Sequence, residues 1–512
     1  MKLKLKIVLS LIFCLTSFNS FSIDYYWVSG IAASWNNAAN WSLSSGGAGG
    51  AGIPGNTDVA IFDANGLGNC TVDIIVNVGG LTVNGYTSVI DLNGFNFTTS
   101  GTVNLATGII NDLPDTGQFI INSSGTSTFS GTTFGATVDV TSDRILLNGS
   151  IFNALSSFEK TGATNAPSSG GNSFMMDVDF ECSGDGYFMM GNGTPDSCFA
   201  NVTINNTGTD NFYFARNGAG HYVAGDITAN HNASGGGTKA IYFSDRSSAS
   251  LDILGDFTLT QNGSGNSLIS YLGDQGDVTI GGNVTLTNSG SGTSSDIRLA
   301  NNSTSTVDIT GTTDVTNNAT ASSASRVYLG NSGNVTFNNN LTLLNAAGGN
   351  TSESYIANGT SSTVSISGTT NVTNDSNATV TNRVYLGNRG DVTFNGTLDI
   401  VNNANSINSE VFVSDRDSSF NNYNDNITIS TTVANSDGIF FGRLGGFGTL
   451  AATKTITIGA GGFVSGELRF RNFTQVGNTL QNLTLTGDAI LTNLDANWGG
   501  DVTFTAPRMV TD

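Results

Sequence analysis

A nearly verbatim repeat returns at even intervals through the centre of this chain. Tyr271 opens YLGDQGDVTI, Tyr328 opens YLGNSGNVTF and Tyr385 opens YLGNRGDVTF. A second unit alternates with it: Arg298 opens RLANNSTSTVDITGTTDVTNN and Tyr355 opens YIANGTSSTVSISGTTNVTND. The two units resemble each other, so the basic period is half the step from Tyr271 to Tyr328. With the first residue of each triplet as a mark, the marks fall at Tyr242, Tyr271, Arg298, Tyr328, Tyr355, Tyr385, Phe412, Phe440 and Arg469, spaced 27 to 30 residues apart. Short internal repetition of this kind means stacked supersecondary units that bury one continuous core.

Each period holds three short alternating runs, such as RVYLG, NVTF and LTLLN after Ser325. They are rich in Val, Thr, Leu and aromatic residues and are bounded by Gly, Asn and Ser, which marks strands. No 3.6-residue apolar period follows residue 22, so helix is excluded as a major element. The pattern predicts an all-β fold, a right-handed parallel β-helix (β-solenoid) of about 15 rungs of 27–30 residues, with strands stacked about 4.8 Å apart. Fainter marks at Phe62, Asp91, Ile120, Leu146 and Tyr213 extend the period upstream. The stretch from Leu146 to Tyr213 exceeds two periods, which predicts an irregular insertion at about 147–212. The expected organisation is a signal peptide at 1–22, a Trp-rich cap at 23–57 and a β-helix at 58–512, with the regular double-rung repeats at about 242–440.

One column recurs three residues after the marks: Asp245, Asp274, Asn301, Asn331, Asn358, Asn388 and Asp415. Asn and Asp suit sharp corners, and stacked amides can hydrogen-bond along the stack. This structural role is preferred to metal binding. Arg216, Arg246, Arg389, Arg416 and Arg443 lie beside the same corner and are expected to pair with Asp245 and Asp415.

The first residues carry Lys2, Lys4 and Lys6 before the apolar run Ile7 to Leu15 and the small residues Ser20 and Ser22, the layout of a secretory signal. The chain has 18 basic and 39 acidic residues, and its formal charge of −21 becomes −24 without the three signal lysines. That balance excludes nucleic acid as a partner, since binding there needs a basic footprint. It also argues against anionic membrane surfaces. No later segment predicts membrane insertion. Cys182 and Cys198 lie close enough in sequence for a bridge or for two free thiols, and Cys70 is expected to be buried. Asn-X-Ser/Thr triplets, as at Asn283, Asn334 and Asn371, are read as strand starts rather than glycan acceptors.

Trp27, Trp35 and Trp41 precede the repeats and are expected to seal the first rung, in preference to forming a sugar platform. This stretch resembles the W-x-G-x…W…N-W-S…PG-x-x-D opening of large secreted repeat proteins of Bacteroidota, through Trp27, Gly30, Trp35, Asn40, Trp41, Ser42, Pro54, Gly55 and Asp58. The resemblance covers about 40 residues plus the repeat style. It implies a secreted or outer cell-surface β-helical protein of adhesin type, often exported by the type IX route, with secretion machinery as its partner. No C-terminal sorting domain follows, and GGDVTFTAPRMVTD reads as the start of another rung, so the chain is expected to be the N-terminal part of a longer protein.

No catalytic constellation is evident. Asn56-Thr57-Asp58 matches one polygalacturonase-like element, but it lies in the cap and its companions are missing. His221 and His231 sit in a polar stretch and are expected to face solvent. Lys160, Lys239 and Lys454 are scattered, and no cofactor or metal motif is present. The triplet Arg389-Gly390-Asp391 aligns with QGD and SGN in sister rungs, so its glycine belongs to a shared turn rather than to integrin recognition. Thr pairs such as FTLT and VTLT are interrupted at equivalent places, against an ice-binding ladder. The expectation is therefore a non-enzymatic, extracellular or cell-surface structural or adhesive solenoid, with glycans or another cell surface as partners. The alternative is a polysaccharide-binding or polysaccharide-degrading protein whose site uses the carboxylates of the insertion: Glu159, Asp177, Asp179, Glu181, Asp185 and Asp196, beside Lys160.

Overall fold

The structure is a computed structural model that describes residues 22–112, 116–405, 408–434 and 436–511, so the expected signal segment falls outside it except for Ser22. About half of the chain is strand (51 %). Among the described residues the helical content is a single 3-10 turn, Ala38–Asn40, and no helix is long and apolar enough to cross a membrane. The chain divides into two compact units, residues 1–142 and 143–512. Both are β-solenoids built from parallel strands, as the repeat predicts.

In the second unit one turn of the solenoid runs, for example, through Leu341–Asn345, Thr351–Ile356 and Thr363–Ile366. These strands belong to a first, a third and a second sheet respectively, and each pairs in parallel with the strand one turn away. The third sheet has fourteen strands, from Ala166–Pro167 to Arg508–Thr511. The marks of the sequence occupy one register column: Tyr242, Tyr271, Arg298, Tyr328, Tyr355, Tyr385, Phe412, Phe440 and Arg469 are consecutive partners. Alternation then decides the interior. Leu329, Ile356 and Leu386, one residue beyond each mark, are buried, and so are Ile309, Phe337, Ile366 and Phe394 of the second sheet.

Of the faint upstream marks, Tyr213 joins the column as the register partner of Tyr242, while Phe62, Asp91, Ile120 and Leu146 do not. In the first unit Phe62 pairs with Val83, Val83 with Leu105 and Leu105 with Phe129, so its turns are shorter than those of the central repeats. Asp91 lies in the second sheet beside Thr71 and Asn111. The proposed insertion is corrected in the same way. Ser156, Val178, Val202 and Ile227 are successive partners on similarly short turns, with no break in register. The stretch from Leu146 to Tyr213 holds an extra short turn, because strands there shrink to pairs such as Phe188–Met189 and Ser197–Cys198. A signal for those turns existed: Phe152 stacks on Phe174 at 5.0 Å and Phe158 on Phe180 at 5.8 Å.

At the N-terminal end of the first unit, Asp24–Trp27 pairs antiparallel with Trp41–Ser42 and parallel with Val59–Phe62. Trp27, Trp35 and Trp41 are at most 1 % exposed. Their rings meet edge-on, Trp35 to Trp41 at 4.7 Å and Trp27 to Trp41 at 5.2 Å. A sugar platform needs an open ring face, and these have none, so the tryptophans act as a plug.

Inside the second unit runs a polar seam that the sequence did not announce. The last residue of successive first-sheet strands is Gln261, Asn288, Asn317, Asn345, Asn374 and Asn402, all fully buried. Each amide donates to the next: Gln261 to Asn288 at 3.3 Å, Asn288 to Asn317 at 3.0 Å, Asn317 to Asn345 at 3.0 Å, Asn345 to Asn374 at 2.9 Å and Asn374 to Asn402 at 3.0 Å. The same amides bond the backbone of the following strand, as Asn288 does to Ser295 O and Asn402 to Ser409 O. A corner inside the core would otherwise leave carbonyls unpaired, and stacked amides remove that cost without water.

Candidate binding face on the third sheet

Three outward columns lie side by side on the third sheet. The mark column is a stack of aromatic rings, parallel and closely spaced: Tyr213 to Tyr242 4.7 Å, Tyr242 to Tyr271 4.8 Å, Tyr328 to Tyr355 4.8 Å and Tyr355 to Tyr385 4.6 Å. Arg298 interrupts it and lies between Tyr271 and Tyr328 at 5.8 and 5.3 Å from their ring centres. The spacing follows from the parallel register, which places the same side chain about 4.8 Å away on each neighbouring strand. Because the rings cover one another's faces, the stack presents edges and hydroxyls. Burial pushes the phenols of Tyr328 and Tyr355 above their ordinary range, with Asp296 and Glu353 respectively adding to it, so these hydroxyls stay protonated.

Two residues earlier, register partners alternate in charge: Asp296, Arg326, Glu353, Arg383 and Glu410. Arg326 binds Glu353 at 3.0 Å and Arg383 binds Glu410 at 2.7 Å, while Asp296 holds Arg298 at 2.7 Å. Three residues after the marks comes the expected Asn/Asp column. Its amides bond along the stack: Asn301 to Asp274 and Asn331 to Asn301 at 2.7 Å, Asn358 to Asn331 at 2.9 Å, Asn388 to Asn358 at 2.8 Å. Burial pushes Asp274 up to about 6, with Asn301 opposing and Asp245 adding. The arginine pairing also holds: Asp245 takes Arg216 at 3.2 Å and Arg246 at 3.4 Å, and fully buried Asp415 takes Arg443 at 2.7 Å and Arg416 at 3.9 Å. Arg389 is exposed and has no ion-pair partner among the described residues.

The columns bound a cleft of about 530 Å³ that crosses three turns and is lined by Arg326, Tyr328, Glu353, Tyr355, Asn358 and Arg389 among others. It was not foreseen, because each column read alone looked structural. Eleven of the chain's twelve arginines lie on third-sheet strands or within three residues after them, which was visible once the marks were aligned.

The other sequence candidates fall elsewhere. In Arg389-Gly390-Asp391 the glycine packs against the previous turn, where an added Cβ would sit 2.3 Å from Ser362 O. Asp391 Oδ1 accepts from Phe420 N at 2.8 Å, as Asp277 accepts from Thr306 N at 3.0 Å and Asn334 from Thr363 N at 3.2 Å. The triplet is a rung joint. Thr258 and Thr285 are followed in register by Asp314, and Thr316 by Leu344, so no unbroken Thr ladder forms. Cys70, Cys182 and Cys198 are free and buried, with Cys182 and Cys198 on different sheets.

The histidines face inward, contrary to expectation: His221 is 2 % exposed and His231 fully buried. His231 occupies the inner amide column between Asn206 and Gln261, and burial pushes it down to about 4. His221 Nδ1 accepts from Asp196 N at 3.1 Å. Of the carboxylates of 147–212, Glu159 and Glu181 are register partners on neighbouring first-sheet strands, with Asp179 two residues before Glu181. Glu159 takes Ser183 at 2.8 Å, Glu181 takes Thr207 at 3.0 Å, Asp185 takes Thr209 at 2.6 Å and Asp177 takes Asn201 N at 3.0 Å, each a joint between neighbouring turns. Asp179 is exposed, and buried Lys160 donates to Gly162 O.

Asp196 is different. It is 3 % exposed, accepts from Asn172 N at 2.9 Å and Asn172 Nδ2 at 2.8 Å, and burial pushes it up to about 7. Its folded state prefers the proton. The stability it supports is complete below the unfolded value of 3.8 and is lost as pH rises through about 7. Asp196→Asn is expected to raise stability at pH 8 by on the order of 2 kcal/mol and to change little at pH 4. Denaturation midpoints at both pH values check this, and equal shifts at the two would refute it.

A comparison with protein-family models, with curated proteins and with solved structures finds no match.

Proposed function

We propose that this protein is a non-enzymatic, extracellular or cell-surface β-solenoid that serves as a structural and adhesive surface. The observation that carries the reading is repetition: the same outward side chains recur turn after turn on the third sheet, as the Tyr242, Tyr271, Tyr328, Tyr355 and Tyr385 positions do. Repeats that stack into a long surface suit contact with an extended partner better than turnover of a small one. The acidic charge and the expected signal peptide support an extracellular setting. Glu159 and Glu181 stand side by side in one register column and each holds a hydroxyl of the next turn, Ser183 and Thr207, which weighs against the degrading alternative, since glycoside hydrolysis needs two carboxylates facing each other across the bond.

Protease shaving of intact source cells, followed by detection of this chain, tests the location. Beads coated with the mature chain, incubated with glycan-coated surfaces, test adhesion. Release of the chain by shaving and retention of the beads are expected. Protection of the chain from protease, or release of reducing ends from polysaccharide by the pure protein, would overturn the reading.

A further inference from the structure

We infer that the cleft between Arg326 and Arg389 on the third sheet binds a carboxylate-bearing polysaccharide strand. This rests on the adhesive reading and names the class of ligand.

Size and direction come first. The cleft's volume of about 530 Å³ suits several sugar rings rather than an ion, and it crosses three consecutive turns. A polymer lying along it meets the same three columns on every turn. The chemistry of the walls is polar. Tyr328 and Tyr355 offer hydroxyls at their edges, because their faces are stacked on each other and on Tyr385. Each ladder amide spends one N–H and one lone pair on its neighbours, as Asn358 does with Asn331 and Asn388, and keeps a second N–H. Arg326 is neutralised by Glu353. Rows of donors and acceptors at each turn match vicinal hydroxyls, and the cleft walls offer no apolar pocket for hydrophobic side chains. A peptide adding as a strand would need a free sheet edge, yet the strands here are paired on both sides.

Charge selects the carboxylate. Arg389 stands exposed at the cleft's end without an ion-pair partner among the described residues. The turn does not require it, since sister turns carry Gln275 and Ser332 at that place. The guanidinium fork fits a carboxylate through two parallel hydrogen bonds, and a neutral polymer would leave it unmatched. Among the described residues, eight of the eleven arginines on or just after this sheet's strands are ion-paired, so the uncommitted positive charge facing the cleft is that of Arg389.

The test is affinity electrophoresis and calorimetry of the mature chain with polygalacturonate, dextran and poly-glutamate. Wild type is expected to bind polygalacturonate in a salt-sensitive manner and to ignore dextran and poly-glutamate. Loss of one charge-assisted contact weakens binding by about tenfold or more, so Arg389→Gln is expected to do so. Tyr355→Phe, which removes only a hydroxyl, should weaken it less, and Arg246→Gln, outside the cleft, should leave it unchanged. Absence of binding by wild type, equal retention of dextran or poly-glutamate, or an Arg389→Gln variant that binds like wild type would each overturn the inference. The adhesion assay is independent: beads that adhere while polygalacturonate is ignored sink the cleft and leave the adhesive reading standing. Arg389-dependent binding without bead adhesion does the reverse.

Discussion

Asn345→Leu is expected to destabilise the second unit by about 4 kcal/mol, because it strands several buried polar groups at once. Asn345 is fully buried. Its Oδ1 accepts from Asn317 Nδ2 at 3.0 Å, Ser352 Oγ at 2.7 Å and Ser354 Oγ at 3.2 Å, and its Nδ2 donates to Asn374 at 2.9 Å. Leucine satisfies none of these, and no solvent reaches them. The outer ladder supplies the contrast. Asn331 bonds Asn301 and Asn358 in the same geometry but is half-buried, so water can replace a lost partner and Asn331→Ala should cost only about 1 kcal/mol. A stacked-repeat protein need not unfold in one step. Hydrogen exchange of the strands Thr313–Asn317, Leu341–Asn345 and Thr370–Asn374 is therefore the direct measurement. Equal loss of protection in the two variants would contradict the inner seam's importance.

Trp41→Ala is expected to cost the first unit about 4 kcal/mol and to promote self-association. The Trp41 ring is fully buried, edge-on to Trp27 and Trp35 and 5.6 Å from Phe62, and its Nε1 donates to Trp35 O at 2.9 Å. Removing it opens a cavity beneath the strand Trp41–Ser42, which pairs with Asp24–Trp27. Loss of that pairing would expose the adjoining strand edges, which then template contact with other chains. Light scattering and hydrogen exchange at Val59–Phe62 read the two effects. An alanine variant that stays monodisperse and keeps wild-type protection would show that the tryptophans are not a plug.

Much of the second unit was legible because its side chains repeat where its backbone repeats. Tyr242 through Arg469 formed a column on paper and form one in register. The Asn/Asp corner and its arginine partners followed from the same alignment. The short turns were not legible that way. Ser156 to Ile227 carries one faint mark, Tyr213, and its shorter turns resembled a missing period rather than a different one. The histidines misled for a related reason: a polar stretch suggests solvent, but alternation in a strand turns His231 inward, and the amide seam gives it partners. The seam itself was spelled out as repeated TNN, LLN and VNN, yet asparagine after a strand reads first as a turn residue.

Repetition in one dimension is what the amino-acid order determined by itself: parallel strands, a solenoid, and one column of aromatic marks with a polar corner beside it. Which residues share a surface was decided in three dimensions. Residues a whole turn apart in sequence become neighbours about 4.8 Å apart only when the turns stack. That stacking closes the tyrosine faces, pairs Arg326 with Glu353, and leaves Arg389 at the end of a cleft without an ion-pair partner among the described residues. The physical reason is register. A strand's alternation says which side chains point outward, but only the stacking of turns says what each of them meets there.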